Sequence, residues 1–306
     1  MGFAARSLPL LLILAGCGGD GTAPVPPAAP SHDLLFEGIL ETVPELLLLD
    51  AVDGGIRRLL PPGTLARDPA PSPDGLRIAF VISDEDQWTG DIWVVNRDGT
   101  GLTRITGAPE MDDQPAWSPD GGRIAFRSYR TGRDGDIWVM GDDGADPVNL
   151  TPDPLPGVLD ERRPAWSPDG GRIVFATNAA GNVDLWTMKA DGSDLRQITA
   201  TIDLDTEPCW SPDGRSIAFR RSSNDLGSDI CVVPASGGEA VRLALPGIQR
   251  LPAWTPDGEG LVFVSHATSS DRPDLFTMGG DGTDPAPTVA DSVPGGSLHP
   301  AWLKRP

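Results

Sequence analysis

The sequence predicts an all-β fold, namely a six-bladed β-propeller with four strands per blade. Two observations lead to this prediction: the segment Pro-Ala-Trp-Ser-Pro-Asp-Gly recurs along the chain, and every copy is followed by the same series of short apolar runs. Copies and close variants of the segment begin at Pro69, Pro115, Pro164, Pro208 and Pro252. Their spacing of roughly 44 to 49 residues lies in or near the range of four-stranded propeller blades.

Each repeat is predicted to supply four strands. The Pro-x-Trp segment is the first, an apolar run around a phenylalanine such as Phe80 is the second, and a run such as Asp91-Ile92-Trp93-Val94 is the third. The fourth follows a turn such as Asp98-Gly99. In Ser-Pro-Asp-Gly the proline presets φ for a type I turn and the aspartate suits the next position, so this segment joins the first two strands.

The two ends of the chain are predicted to build one blade together. Residues 34–36, 45–49 and 56–60 match the second, third and fourth strands of a blade, but no first strand precedes them. Pro300-Ala301-Trp302 supplies the missing first strand. We therefore expect five continuous blades and one composite blade, closed by pairing of the C-terminal strand with the N-terminal blade, which removes a free sheet edge.

Two segments are predicted ahead of the propeller. Residues 1–16 contain Arg6, an apolar run too short to span a bilayer and small residues at its end, which is the pattern of a secretory signal peptide. Residues 17–32 are rich in Gly, Pro and Ala and are predicted to form a flexible tether, so that the propeller occupies residues 33–306.

Leu14-Ala15-Gly16-Cys17 resembles the lipobox of bacterial lipoproteins. The resemblance implies that Cys17 is the lipid attachment residue, acylated with palmitate-type chains that anchor the protein in a membrane. Gly18 stands where an Asp commonly retains lipoproteins at the inner membrane, so the resemblance implies a periplasm-facing anchor in the outer membrane.

The repeat itself resembles the WD40-like β-propeller repeat of the TolB family. The similar region runs from about Asp33 to Leu303, and the motif that carries it is highly specific for fold. TolB has an additional N-terminal domain, whereas only the tether occupies that place here. The resemblance therefore implies a TolB-type propeller and does not imply the Tol role itself, because propellers carry unrelated activities.

The charge balance excludes two classes of partner. The chain has 44 acidic and 24 basic residues and a formal net charge of −20. Nucleic acids and anionic lipid headgroups are polyanions, so neither is an expected partner of so acidic a protein.

Two cysteines, Cys209 and Cys231, remain in the propeller, on the first and third strands of one blade. With one strand between them they should lie roughly 9–10 Å apart, too far to form a disulfide.

The candidate partner-binding face is the one where the chain enters the Pro-x-Trp strands and where the second and third strands are joined. The three residues before each proline are predicted to be loops, and they vary from blade to blade against the constant motif. This variation suits an asymmetric binding surface and equally suits unconstrained solvated loops. The candidate residues are Trp88, Asp112, Asp113, Tyr129, Glu161, Arg162, Asp205, Arg250, His266 and His299.

Several conspicuous residues have structural interpretations beside or in place of functional ones. Trp88 and Tyr129 suit binding anchors, and equally suit packing over their own blades. Trp93, Trp138 and Trp186 recur at the blade period, which predicts packing between blades. The aspartate that begins each third strand, as in Asp91, lacks the dense oxygen ligands of a calcium loop and is predicted to cap a turn.

These observations favour a monomeric, non-enzymatic module that binds an envelope protein or peptide and needs no cofactor or metal. The alternative is a carbohydrate-acting, lyase-like enzyme with a metal near His266 and His299, because oligogalacturonate lyases with related propellers hold a metal with several histidines. Two histidines are few ligands for such a site. The chain also lacks a Gly-x-Ser-x-Gly nucleophile motif and a phosphate-binding glycine loop.

Overall fold

A computed structural model describes residues 32–40, 43–83, 89–132, 134–152, 160–223, 227–245, 247–266, 273–288 and 297–305. In these residues the regular structure is entirely β, with 24 strands in six four-stranded antiparallel sheets. The prediction of an all-β, six-bladed propeller is confirmed. No helix in these residues is long and apolar enough to cross a membrane.

The blades are numbered from the composite one, and the strands of each are given from the innermost outward. Blade 1 consists of β24 (Ser297–Lys304), β1 (His32–Leu40), β2 (Val43–Leu49) and β3 (Ile56–Arg58). Blade 2 consists of β4 (Ala66–Pro71), β5 (Arg77–Ser83), β6 (Gly90–Asn96) and β7 (Thr103–Arg104). Blade 3 consists of β8 (Asp112–Trp117), β9 (Arg123–Ser128), β10 (Asp136–Gly141) and β11 (Val148–Asn149). Blade 4 consists of β12 (Arg162–Trp166), β13 (Arg172–Thr177), β14 (Asp184–Lys189) and β15 (Arg196–Gln197). Blade 5 consists of β16 (Leu204–Trp210), β17 (Ser216–Ser223), β18 (Gly227–Pro234) and β19 (Val241–Leu243). Blade 6 consists of β20 (Gln249–Trp254), β21 (Gly260–Ser265), β22 (Asp274–Gly279) and β23 (Ala286–Pro287).

The C-terminal strand closes the ring as predicted. β24 pairs antiparallel with β1, and its Trp302 and Ala301 lie opposite Leu34 and Leu35. β1 begins at His32, one residue before the expected start of the propeller, because His32 pairs with Lys304. The predicted fourth strand is shorter than residues 56–60, since Leu59 and Leu60 leave the sheet and are buried between blades 1 and 2.

The Ser-Pro-Asp-Gly segments form the turns between first and second strands. At the first copy, the Ser72 carbonyl accepts the Gly75 N–H at 2.9 Å, and Asp74 Oδ1 accepts the Leu76 N–H at 3.0 Å. Gly75 has φ +73°, in the left-handed region that favours glycine. The Ser72 hydroxyl donates to Asp74 at 2.6 Å and thereby lowers the pKa of that carboxyl. The turn chemistry therefore fixes where each hairpin reverses.

The hydrophobic core is divided into six clusters, and each cluster joins two neighbouring blades. The second strands contribute fully buried phenylalanines, namely Phe36, Phe80, Phe126, Phe175, Phe219 and Phe263. The inner-strand tryptophans pack backwards on the preceding blade, where Trp117 Nε1 also donates to the Ala70 carbonyl at 3.0 Å. Trp93, Trp138 and Trp186 pack against these clusters too, which confirms their predicted role in packing between blades.

The two propeller cysteines are free thiols, as predicted. Cys209 on β16 lies opposite Ala218 and Cys231 on β18 lies opposite Phe219, so strand β17 separates them. Burial raises the pKa of Cys209 to about 12 and that of Cys231 to about 11. Both thiols are therefore protonated at neutral pH and are weak nucleophiles.

Asp91, Asp184 and Asp229 lie at or near the starts of third strands and tie these strands to the fourth strands, and Asp184 also accepts the Thr201 N–H of the connection that follows, as a capping residue does. Asp91 forms an ion pair with Arg104 at 2.6 Å, and Asp229 forms one with Arg242. Asp184 instead accepts the side-chain N–H of Gln197 at 3.2 Å. The fourth strands are only two or three residues long, so these side-chain links help to hold them on the blade.

Deletion of residues 297–306 should unfold or oligomerise the protein. The deletion removes the innermost strand of blade 1, including Leu303, whose burial alone contributes about 1.5–3 kcal/mol. It also leaves the edge of β1 free to pair with another chain. Size-exclusion chromatography and thermal unfolding measure the outcome, and a monomeric deletion variant with an unchanged melting temperature would refute the closure.

Candidate binding site at the channel mouth

Each innermost strand contains a β-bulge just before its proline. The ladder register shifts at this point in all six blades. The residue before the proline has a positive φ between 47° and 57° in every blade, which is uncommon for residues other than glycine. These six residues are Asp68, Gln114, Arg163, Glu207, Leu251 and His299. A backbone strain repeated in register marks them as a candidate functional ring.

The six side chains of this ring line the central channel. Together with the six following prolines they surround a cavity of about 150 Å³. The residues before each proline, which the sequence predicts to be loops, therefore lie within the innermost strands, and their last member faces the channel. We call the face on which the chain enters these strands the mouth face, and the opposite face, which carries the Ser-Pro-Asp-Gly turns, the turn face.

The ring side chains are bonded to the strained backbone of neighbouring blades. Gln114 Oε1 accepts the Arg163 N–H at 2.7 Å, and Glu207 Oε2 accepts the Leu251 N–H at 2.6 Å. Glu37, on β1, accepts the Asp68 N–H in the same way. The bulges leave backbone donors that would otherwise lack partners in the channel wall, and these carboxylates and this amide satisfy them.

An ion-pair network crosses the channel. Arg163 of blade 4 donates from Nη1 to Asp68 Oδ1 of blade 2 at 2.8 Å, and its Nη2 lies 2.9 Å from Nε2 of His299 of blade 1. His299 Nδ1 lies 2.7 Å from Glu37 Oε1, and its Nε2 lies 3.2 Å from Asp68 Oδ1. Blades 1 and 4 stand opposite each other in a six-bladed ring, so this network braces the channel across its diameter.

The network keeps its carboxylate and guanidinium charged. Burial raises the pKa of Asp68, but the Arg163 guanidinium and the other basic groups around it outweigh burial, so the pKa lies below its usual value of 3.8. Burial lowers the pKa of Arg163, but Asp68 and Glu207 outweigh burial and raise it. A buried pair of this kind is strongly destabilised when one partner alone is removed.

Glu37, Asp68 and His299 are also the described residues with the geometry of a metal site, since their ligand atoms all lie within 4.8 Å of one another. The guanidinium of Arg163, however, is within hydrogen-bond distance of both Asp68 and His299. A fixed positive charge thus stands where a metal ion would bind. His266 does not belong to this group, so the described residues do not bring the two predicted histidines together as ligands.

The predicted acidic candidates are held inside the blades. Asp112, Asp113 and Asp205 are at most 3% exposed, and so is Glu161. Their oxygens accept hydrogen bonds from Arg130, from Arg127, from Arg221 and from the hydroxyl of Thr177, respectively. Burial raises the pKa of Asp112. These four carboxyl groups shape the inner strands and do not present themselves to a partner's surface.

The other predicted candidates lie nearer the surface. Tyr129 is partly buried under the Arg127 guanidinium, 5.0 Å from its ring centroid, and burial raises its pKa. Arg162 forms an ion pair with Asp160 at 2.5 Å. Arg250 and His266 are partly exposed. His299 belongs to the channel network, and Trp88 and Cys17 lie outside the described residues.

Sequence reasoning found only one of the residues that face the channel, His299. Its other candidates from the triplets before the prolines are first or second members, whereas the third members Asp68, Gln114, Arg163 and Glu207 line the cavity beside His299. The sequence did offer a signal for these residues, because each of them stands directly before the proline of the repeated motif. Glu37 also had a signal, since it follows the second-strand phenylalanine where the other blades have Val, Arg or Ala.

Three large apolar side chains are exposed where the chain enters blades 5 and 6, at the start of β16 and in the connections before β16 and β20. Ile202 is 96% exposed, Leu204 44% and Ile248 46%. The backbone that carries Ile202 is braced, because Asn182 Nδ2 donates to the Thr201 carbonyl at 2.9 Å and the Thr201 N–H donates to Asp184 at 3.3 Å. The mouth face therefore combines a charged channel with exposed apolar side chains on one side.

Asp68→Asn should destabilise the protein at pH 7 by about 3 kcal/mol, because it leaves Arg163 without its charged partner. Since the native pKa of Asp68 is lowered, its stabilisation is present above its usual pKa of 3.8 and is lost as the pH falls through the native pKa. Denaturant unfolding at pH 7 and in acid should thus show the two proteins converging at low pH. A double-mutant cycle with Arg163→Gln measures the coupling free energy of the pair. An equal difference in unfolding free energy between the wild type and Asp68→Asn at both pH values would contradict this assignment.

Three comparisons with known proteins agree with the fold. Residues 160–286 match the family model of the TolB beta propeller domain. An 88-residue stretch, 28% of this chain, is 34% identical to an uncharacterized peptidase of Bacillus subtilis, YuxL, and covers 13% of that protein. A 46-residue stretch, 15% of this chain, is 44% identical to the Tol-Pal system protein TolB of Anaeromyxobacter dehalogenans and covers 10% of it. The aligned stretches thus span only about a tenth of the length of these relatives.

The crystal structure of TolB from Acinetobacter baumannii superposes with a TM-score of 0.74 and 19% sequence identity, covering 91% of this chain and 68% of TolB. At that identity the superposition shows the fold alone. Together with the repeat motif and the strand topology, it shows that this chain folds as a TolB-type β-propeller, whose residues 160–286 match the TolB beta propeller domain.

Proposed function

We propose that this chain is a non-enzymatic protein-binding module of the bacterial envelope that engages a protein or peptide with its mouth face. The observation that carries the proposal is the exposure of Ile202, Leu204 and Ile248 where the chain enters blades 5 and 6 on the mouth face. Exposed apolar side chains grouped within a polar surface are typical of interaction sites, whereas isolated ones are ordinary.

The exposed Ile202 side chain is well suited to serve as a binding anchor. Burying an isoleucine side chain against a partner contributes about 1.5–3 kcal/mol. The hydrogen bonds from Asn182 and to Asp184 already order the backbone, so little conformational entropy is lost on binding. A braced, exposed anchor of this kind favours a protein partner over a small molecule held in the channel.

The envelope location rests on the N-terminal sequence and on the TolB likeness. We propose that residues 1–16 are a signal peptide, that Cys17 is lipidated, and that residues 17–32 tether a monomeric propeller to the outer membrane on its periplasmic side. A tether of this length spans roughly 20–50 Å, depending on whether it is coiled or extended. That reach leaves the mouth face free to meet an envelope protein.

The enzyme alternative has less support. A lyase-like metal near His266 and His299 would need the position that the Arg163 guanidinium takes beside His299 and Asp68. The likeness to the Bacillus peptidase covers only 28% of this chain and 13% of that protein's length. The geometry therefore supports binding better than catalysis.

Ile202→Ser combined with Ile248→Ser should abolish capture of the partner from envelope extracts of the source bacterium, because the apolar anchors are lost. The matched control is Val52→Ser combined with Leu76→Ser, which changes apolar residues 60% and 51% exposed in turns on the turn face. The immobilised wild type and the control should retain the same specific protein, identified by mass spectrometry. Equal capture by both double variants would place the binding surface elsewhere, and capture of nothing by the wild type would count against a binding module.

Cys17→Ala should release the protein from the membrane fraction, because the acylated thiol is the proposed anchor. Metabolic labelling with a palmitate analogue, followed by fractionation, measures the change. The expected result is a labelled, membrane-bound wild type and an unlabelled, soluble variant. A membrane-bound but unlabelled wild type would contradict lipidation.

A further inference from the structure

We propose that Arg250, with Arg220 beside it, forms a subsite at the channel mouth that binds a carboxylate group of the partner. This inference rests on the proposed binding function and names the chemistry that the partner presents between blades 5 and 6. Four features carry it: the unpaired guanidinium of Arg250, the prior commitment of nearby carboxylates, the adjacent histidine, and the neighbouring apolar anchors.

Arg250 lies on β20 and its side chain is only partly exposed. Its Nε is buried without an acceptor, and the guanidinium forms no ion pair within the described part of the chain. Burial lowers the pKa of Arg250, because the charged form is desolvated. Arginines that are withdrawn from water usually have charged partners, so this one has the character of a site whose acceptor comes from outside the chain.

The carboxylates near Arg250 are already committed to other donors. Glu207 accepts the Leu251 N–H at 2.6 Å and lies 3.5 Å from Arg220 Nη1. Glu37 is engaged by His299 and by the Asp68 N–H. Arg220, whose Nε is also buried without an acceptor, adds a second positive charge to this part of the mouth. Glu207 and Glu37 are therefore occupied by other donors, which leaves Arg250 without a carboxylate acceptor among the described residues.

His266 lies next to an apolar anchor. Its backbone N–H donates to the Ile248 carbonyl at 3.0 Å, which places the histidine beside that exposed isoleucine. The Nδ1 of its ring is buried without a partner in the described residues. A partner that lays an apolar side chain on Ile248 would thus bring a nearby carboxylate toward Arg250.

A carboxylate fits this subsite better than a polyanion does. Arginine binds a carboxylate with two parallel hydrogen bonds, which are stronger than neutral ones. The whole chain carries a net charge of −20, so a nucleic acid or an anionic membrane would be repelled beyond this local patch. A protein segment that combines one acidic group with apolar side chains meets both constraints.

The test is selection of random dodecapeptides on the purified full chain, from one library displayed with free C-termini and one displayed with free N-termini. Selections on the wild type should enrich peptides in which an acidic residue lies next to apolar residues. If the site binds a terminal carboxylate instead, apolar peptides should be enriched only from the library with free C-termini. Arg250→Gln should weaken the enriched peptides about tenfold or more, as should replacing their Glu by Gln. Arg250→Lys keeps the charge but loses the paired hydrogen bonds and should give an intermediate loss.

The matched control is Arg215→Gln, which removes the same charge from an 87% exposed side chain in the β16–β17 turn on the turn face. It should leave peptide affinity unchanged. Arg250→Gln should not lower the melting temperature, because no internal partner is lost, whereas a structural arginine would lower it. A lowered melting temperature together with unchanged peptide affinity would overturn the subsite.

The remaining outcomes separate this inference from the proposed function. Apolar peptides that bind the wild type and Arg250→Gln equally would overturn the carboxylate subsite and leave the binding module intact. Failure to enrich any peptide would count against both. Displacement of the acidic peptides by inorganic phosphate at concentrations where acetate has no effect would show that the site prefers phosphate, and would also overturn the assignment.

Discussion

The β-bulge before each inner-strand proline is the constraint on which the channel depends. It places one residue per blade in the left-handed region and turns that side chain toward the propeller axis. Six such residues meet in a small space, so the ionisable side chains among them must be paired within this space, where Glu37 also lies. Ring side chains accept hydrogen bonds from the strained backbone of the next blade, which shows that the strain and the polar lining form a single arrangement.

The apolar interfaces between blades carry this arrangement. Each blade is too thin to bury its own faces, so the phenylalanines of the second strands and the inner-strand tryptophans pack against the neighbouring blade. The same requirement explains the composite blade, since a ring with an open interface would expose Leu35, Leu303 and their neighbours. Closure by β24 thus gives a rigid frame, on which the mouth face holds its side chains in fixed positions.

Charge is distributed unevenly over this frame. The chain as a whole is strongly acidic, yet the acidic residues near the channel are paired inside it, while Arg250 is not. The exposed apolar residues and Arg250 belong to the segments by which the chain enters blades 5 and 6. In the binding mode that we propose, burial of the anchors would contribute affinity and the guanidinium would contribute selectivity for a carboxylate.

Much of the fold was determined by the sequence alone, because its signals are local and repeated. The blade period, the Ser-Pro-Asp-Gly turns and the orphan Pro300-Ala301-Trp302 segment specify the strands, their order and the closure. Only the tertiary structure decided which residue of each triplet faces the channel, because one extra residue in the bulge changes the direction of the side chains. For that reason Asp112 and Asp205 proved to be buried in ion pairs, while Asp68 and Arg163, which are 95 residues apart, meet across the ring.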